Sequence, residues 1–148
     1  LHGRSLLAQG LAREAIAELT AVTAATAAYP AAFVALGLAL RERDQKEEAL
    51  THFLRAALLD PTSGEAAYWA GRTRVELGRP ADALYHLRRA VLAQNPGPWH
   101  ADAHLWLARA LVKQNQRDEA ASMYTTYLRL AGPRAAARAE AEKLTRGH

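Results

Sequence analysis

The chain repeats a local pattern every 34 residues, and this period constrains the fold more than any single residue does. Ala15, Ala49 and Ala83 are 34 residues apart, and each follows an acidic residue at the end of a polar stretch. A fourth copy of the pattern is centred on Ala120, 37 residues further on. Self-similarity at this period is typical of stacked helical hairpins. We therefore predict an all-α solenoid of antiparallel helix pairs.

The spacing of apolar residues divides each copy into two helices. In the second copy, Phe33, Leu36 and Leu40 give the 3/4 spacing of a helix over residues 30–42, and a second stripe spans residues 46–59. A residue that precedes proline is disfavoured in the α region, so an X-Pro pair favours a helix end. The predicted ends of the second helices are Asp60-Pro61, Asn95-Pro96 and Gly132-Pro133.

The residues of the second copy resemble the tetratricopeptide repeat (TPR) family. The matching residues are Phe33, Leu36, Gly37, Leu40, Ala49, Phe53, Ala56 and Pro61. The resemblance extends over nearly the whole chain and implies a right-handed α-solenoid. It implies one repeat domain, residues 1–148, with a partial repeat at 1–29, full repeats at 30–63, 64–97 and 101–134, an insertion at 98–100 and a C-terminal capping helix at 133–146.

Composition excludes several classes of protein. The chain has no cysteine, so it has neither disulfides nor thiolate metal sites. It has no run of 18 apolar residues, so we predict no membrane insertion by this segment. It begins at Leu1, so we expect an excised fragment, and the sequence is compatible with cytoplasm and periplasm alike. Arginine supplies 16 of the 19 basic residues in a chain of net charge +4.

The concave face of such an array is lined by first-helix residues that do not pack into the hairpin. Those predicted to bind a partner are Arg4, Val34, Leu38, Arg41, Tyr68, Trp69, Arg72, Leu105, Trp106, Arg109 and Lys113. Leu7, Glu65, Glu76 and Asp102 share this face. Arginine recurs at one repeat position and tryptophan at another, and Arg72 and Arg109 are expected to face solvent. The alternative is that the tryptophans pack between neighbouring first helices and the arginines are only solvated.

No motif in the sequence indicates catalysis or a cofactor. A phosphate loop, a nucleophile elbow and a dinucleotide fingerprint are all missing from the sequence. His100 and His104 have the i, i+4 spacing of a zinc-binding pair, but the sequence offers no third ligand nearby. We predict that the chain is not an enzyme and uses neither a metal nor another cofactor.

The function predicted from these features is non-enzymatic protein binding. The arginines and aromatics suit a protein or peptide segment that carries acidic and apolar groups, and no small-molecule substrate is expected. Members of the family that the chain resembles occur in bacterial assembly and scaffold proteins. Two alternatives stay open: self-association through the truncated N-terminal repeat, and nucleic-acid binding prompted by the basic charge.

Overall fold

A computed structural model of the chain describes residues 2–8 and 10–146, with side chains for all of these except residues 2 and 7. The described part consists of nine α-helices and contains no strand. The helices are α1 (His2–Ala8), α2 (Ala12–Ala25), α3 (Pro30–Glu42), α4 (Lys46–Leu59), α5 (Gly64–Glu76), α6 (Pro80–Val91), α7 (His100–Lys113), α8 (Arg117–Ala131) and α9 (Arg138–Thr145). Each helix packs against the next one in the chain, which is the arrangement of stacked hairpins.

The turn inside each hairpin has one residue in the left-handed conformation. These residues are Gly10, Asp44, Gly78 and Asn115, with φ between 59° and 79°. The N–H of the following residue donates to a carbonyl five residues back, as Gln45 does to Leu40 at 2.9 Å. This hydrogen bond belongs to a Schellman cap, which ends a helix and satisfies its last carbonyls. The cap brings the chain back antiparallel after a connection of three residues.

In the first three hairpins, the two helices touch at a position where the first helix has no side chain. A Cβ atom added to Gly37 would lie 2.4 Å from the Phe53 ring, and one added to Gly71 would lie 2.5 Å from Leu87 Cγ. In the first hairpin Gly3 has the same relation to Leu19. The large side chain of the second helix therefore fills the space beside the glycine, which sets the distance between the paired helices.

The helix α6 ends earlier than the sequence predicted. We expected Asn95-Pro96 to end it, but its last residue is Val91. The Val91 carbonyl lies 3.2 Å from Nε2 of His100. Trp99 packs on the backbone of Gly64, where an added Cβ would lie 2.3 Å from the indole. The inserted residues thus draw the linker back across the hairpin and end the helix one turn early.

The C-terminal helix begins later than predicted. We expected a helix from Pro133 onwards, whereas α9 starts at Arg138. Gly132 has φ of 76°, and its carbonyl accepts the Ala135 N–H at 3.1 Å, so the segment after α8 forms turns. The Tyr127 hydroxyl accepts the Ala137 N–H at 3.1 Å and satisfies a donor at the start of α9. Glycine in this conformation and the tyrosine contact together outweigh the helix propensity of the alanines.

The crossing of α6 with its hairpin partner gives a stability prediction. Ala83 is fully buried, as expected, and packs in a cluster with Leu87, Leu107 and Leu111. Ala83→Leu should lower the free energy of unfolding by roughly 1–3 kcal/mol because the added atoms have no space. Urea denaturation measures the loss. Ala81→Leu is the matched control, since Ala81 is exposed on the same helix. Equal stability of the two variants would contradict the packing described.

Candidate functional site on the inner face

The first helices of successive hairpins meet on one side of the array, which we call the inner face. Arg4 on α1 contacts Glu65 on α5 at 3.3 Å, across the intervening hairpin. Arg41 on α3 donates to the Thr73 hydroxyl on α5 at 3.1 Å. The inner face therefore comprises the exposed and half-exposed side chains of α1, α3, α5 and α7, and α9 borders it at the C-terminal end.

Arginines and tryptophans alternate along the middle of the inner face. The guanidinium of Arg41 lies 4.9 Å from the centre of the Trp69 ring, and that of Arg72 lies 5.2 Å from the same ring. Arg72 also lies 4.8 Å from Trp106, which in turn is 4.7 Å from Arg109. We call these five residues the Arg–Trp ladder. Each contact is a cation–π interaction, worth about 0.5–2 kcal/mol depending on exposure.

Each arginine of the ladder also contacts an acid of this chain. Arg41 forms a two-pronged pair with Glu76, and the two side chains are 13% and 15% exposed. Arg72 lies 3.8 Å from Glu76 and 3.9 Å from Asp102. Paired charges attract an external anion less than free ones do, because the partner must compete with the internal acids. The inner face is therefore less basic than its arginines alone suggest.

The Arg41–Glu76 pair shifts the acid's titration. Burial by itself would raise the pKa of Glu76, but the hydrogen bonds from Arg41 and the nearby charges of Arg41, Arg72 and Lys46 lower it below its ordinary value. A carboxyl with a lowered pKa in the folded state stabilises the fold above its unfolded pKa, and this stabilisation is lost as the pH falls through the folded value. The ladder is thus sensitive to acid.

The last arginine of the ladder is paired by an acid from outside the repeats. Arg109 Nε lies 2.9 Å from Oε2 of Glu140 on α9, and its Nη2 lies 2.8 Å from Oε1. The Tyr124 hydroxyl donates to the same carboxylate at 2.5 Å. The hydrogen bond from Arg109 holds the pKa of Glu140 below its ordinary value despite partial burial, and the same bond raises the pKa of Arg109.

A cavity of about 440 Å³ opens between the ladder and α9. Its apolar lining includes Leu105, Trp106 and Tyr127, together with alanines of the segment before α9 and of α9 itself. Charged groups that border it are Arg72, Asp102, Arg109 and Glu140. The cavity can take an apolar side chain while a neighbouring polar group contacts the charged border.

The structure separates the predicted partner-binding residues into three groups. Arg41, Trp69, Arg72, Trp106 and Arg109 form the ladder, while Arg4 and Lys113 are exposed and Leu38 is half-buried. Val34, Tyr68 and Leu105 are at most 5% exposed, so our expectation that they lie on the surface was wrong. They follow the helix stripe that packs against neighbouring helices. The side chain of Leu7 lies outside the described residues.

Arg72 departs from its predicted environment. We expected it to face solvent, but its side chain is 24% exposed and its Nε is buried without a hydrogen-bond partner. One Nη donates to the Tyr68 hydroxyl at 2.7 Å, and burial raises the pKa of that hydroxyl to about 12. Trp69 and Trp106 are half-buried beside it. The tryptophans therefore pack between first helices and still contact the arginines.

Glu140 is the residue of this site that sequence reasoning missed. It lies in an alanine-rich segment without a matching repeat position, so no periodic signal indicates where it points.

Within the described residues, no three His, Cys, Asp or Glu side chains are grouped as metal ligands would be. Of the two histidines considered as ligands, His104 is buried and its Nδ1 lies 3.0 Å from the His100 carbonyl. No helix in the described part is long and apolar enough to cross a membrane.

The acid sensitivity of the ladder can be measured. The melting temperature should fall as the pH drops below about 4.5, the ordinary pKa of a glutamate. Glu76→Gln should lower the melting temperature at neutral pH and should make this fall shallower, because the variant has no carboxylate to protonate there. Glu42→Gln, which removes an exposed acid from α3, serves as control. A Glu76→Gln curve parallel to that of the unmodified chain would show that the pair has no energetic role.

Comparison with known structures places the fold among TPR proteins. The structure of MamA 41-end from Desulfovibrio magneticus RS-1 superposes with a TM-score of 0.76 at 23% identity, over 86% of this chain and 71% of that one. TTC0263, a thermophilic TPR protein of Thermus thermophilus, gives 0.71 at 20% identity, over 97% and 77% of the two chains. YrrB, a TPR protein with an unusual peptide-binding site, gives 0.76 at 21% identity, over 86% and 64%.

Family models confirm the resemblance seen in the sequence. Two tetratricopeptide repeat models match residues 1–67 and 74–142. No curated protein matches the sequence significantly. The predicted all-α, right-handed α-solenoid is confirmed by the fold and by these neighbours. The chain belongs to the tetratricopeptide repeat family.

Proposed function

We propose that the chain is a non-enzymatic interaction module that binds a segment of a partner protein on its inner face. TPR proteins are in general protein-interaction modules, and solenoids use their extended concave surfaces for binding. The observation that carries the proposal is the Arg–Trp ladder beside the cavity at α9. It combines half-exposed indoles, arginines and an apolar recess on one continuous surface.

The ladder favours a partner that presents acidic and apolar groups together. Tryptophan and arginine are the residue types that most often dominate binding energy at protein interfaces. Trp106 and Arg109 lie next to each other at the cavity, so one partner residue can fill the recess while its neighbour contacts the guanidinium. An acid of the partner competes with the internal acids for the arginines. The planar guanidinium of arginine donates two parallel hydrogen bonds to a carboxylate.

We infer further that the module serves a larger bacterial assembly protein. This rests on the family resemblance and on bacterial TPR structures of the same fold.

Nucleic-acid binding is the less favoured alternative, because the inner-face arginines already form ion pairs with acids of this chain. Self-association is supported by the exposure of Leu11 and Tyr29 in and after the first hairpin, at 40% and 39%. Sedimentation at increasing concentration tests it.

Binding on the inner face is tested with peptides that are selected on the unmodified chain from a random phage-displayed library. We expect the selected peptides to be enriched in acidic residues next to large apolar ones. The double variant Arg72→Gln/Arg109→Gln should bind them at least tenfold more weakly, or about 1.4 kcal/mol. Glutamine removes the charge of Arg72 without placing another negative charge beside Glu76 and Asp102. Fluorescence anisotropy measures the dissociation constants.

Arg88→Gln is the matched control for this measurement. Arg88 lies on a second helix, pairs with Glu119 of the following hairpin at 3.0 Å, and is 43% exposed against 32% for Arg109. Its loss removes an equivalent ion pair away from the inner face and should leave peptide binding unchanged. Equal effects of the double variant and the control would remove the inner face as the binding site. Circular dichroism of each variant checks that the helices are retained.

A further inference from the structure

We propose that α9 is an internal competitor for the partner: the Glu140 carboxylate occupies the place on Arg109 that an acidic group of the partner takes when it binds. The proposal rests on the proposed function and adds a mechanism of regulation to it. It assigns the Trp106 ring beside Arg109 as the contact for an apolar residue next to that carboxylate. Binding is then linked to the release of α9 from the end of the array.

The Glu140 carboxylate is bound to the Arg109 guanidinium as a ligand carboxylate would be. Both oxygens of Glu140 contact the guanidinium, at 2.9 Å from Nε and 2.8 Å from Nη2, while the ring of Trp106 lies against the same group. This is the side-on arrangement that a ligand carboxylate adopts on arginine. The structure therefore already holds a carboxylate at this end of the inner face, and the carboxylate belongs to the chain itself.

Arg109 is the most exposed arginine of the ladder, at 32% against 24% for Arg72. Arg41 and Glu76 are 13% and 15% exposed, and both belong to the repeats. Arg109 and Glu140 are 32% and 39% exposed, and Glu140 lies outside the repeats. An exposed ion pair contributes little net stability, so an external carboxylate can replace it at small cost. Exchange at the buried pair would instead leave charges without partners.

Helix α9 is weakly attached to the array. The helix has eight residues, a length at which an isolated helix is not stable in water. Of its side chains Ala141 is fully buried, and Leu144 is partly buried against α7 and α8. The remaining contacts include the Tyr127 hydroxyl at its start and the bonds to Glu140. Few apolar contacts hold the helix, so its docking can respond to competition at one carboxylate.

The test uses the full chain and a defined probe. The probe is a fluorescein-labelled peptide of alternating glutamate and leucine, and its counterpart has glutamine in place of glutamate. Glu140→Gln should bind the acidic peptide about two- to fivefold more tightly than the unmodified chain does, because the competing carboxylate is gone and an exposed ion pair is worth no more than that. The counterpart peptide should show no such gain. Adding Arg109→Gln to Glu140→Gln should abolish it.

Glu142→Gln is the matched control. Glu142 is on the same helix, but its ion pairs are with Arg138 and Arg146 beside it, at 2.8 and 3.2 Å. Its removal should leave the affinity for the acidic peptide unchanged. If Glu142→Gln gives the same gain as Glu140→Gln, the effect comes from the net charge of the chain and the competition is refuted.

Hydrogen exchange provides a second readout. The acidic peptide should accelerate exchange of the α9 amides, residues 138–145, in the unmodified chain, since its binding releases the helix. Slower exchange there would show that α9 forms part of the site and would overturn the proposal. Failure of Glu140→Gln to bind the peptide at roughly 1 mM would also overturn it.

The outcomes separate this proposal from the proposed function. If Arg72→Gln/Arg109→Gln weakens binding of the selected peptides while Glu140→Gln leaves the affinity for the acidic peptide unchanged, the inner face binds partners and α9 does not compete. If neither variant changes either affinity, both proposals are wrong.

Discussion

The small residue at one position of each first helix, glycine in α1, α3 and α5 and the buried Ala108 in α7, determines the geometry of the whole array. Where Gly37 and Gly71 lie, the helices of a hairpin are so close that a single methyl group would overlap Phe53 or Leu87. This contact fixes the separation and rotation of the paired helices. The rotation in turn decides which stripe of the first helix stays free of its partner, and that stripe is the inner face.

The Arg–Trp ladder follows from that constraint. Because the hairpins repeat a similar contact, Trp69 and Trp106 recur at matched positions, and Arg72 between them meets a ring on each side. The internal acids then reduce the net charge of the surface without removing its arginines from contact. On the function proposed here, this surface selects partners by displacement of one carboxylate by another, and by apolar contact with the indoles, more than by long-range attraction.

The sequence predicts the repeating part of the molecule and fails where the repeat ends. The period, the glycines and the turn residues predict α3 and α4, and the matched positions of Arg72 with Arg109 and of Trp69 with Trp106 indicate that these side chains share a face. The burial of Tyr68 and the pairing of Arg72 depend on contacts between hairpins, which no local pattern encodes. The end of α6 depends on Trp99 in the insertion. The contact of Glu140 depends on how one non-repeating helix docks.

Binding on the inner face is tested most directly by nuclear magnetic resonance of the arginine and tryptophan side chains during titration with a selected peptide. We expect the Nε–H signal of Arg109 and the indole N–H signals of Trp69 and Trp106 to shift with one common dissociation constant. The Nε–H signal of Arg88, on the second-helix layer, should stay in place. Shifts confined to Arg88 and to other residues of α6 such as Tyr85, which is exposed, would contradict binding on the inner face.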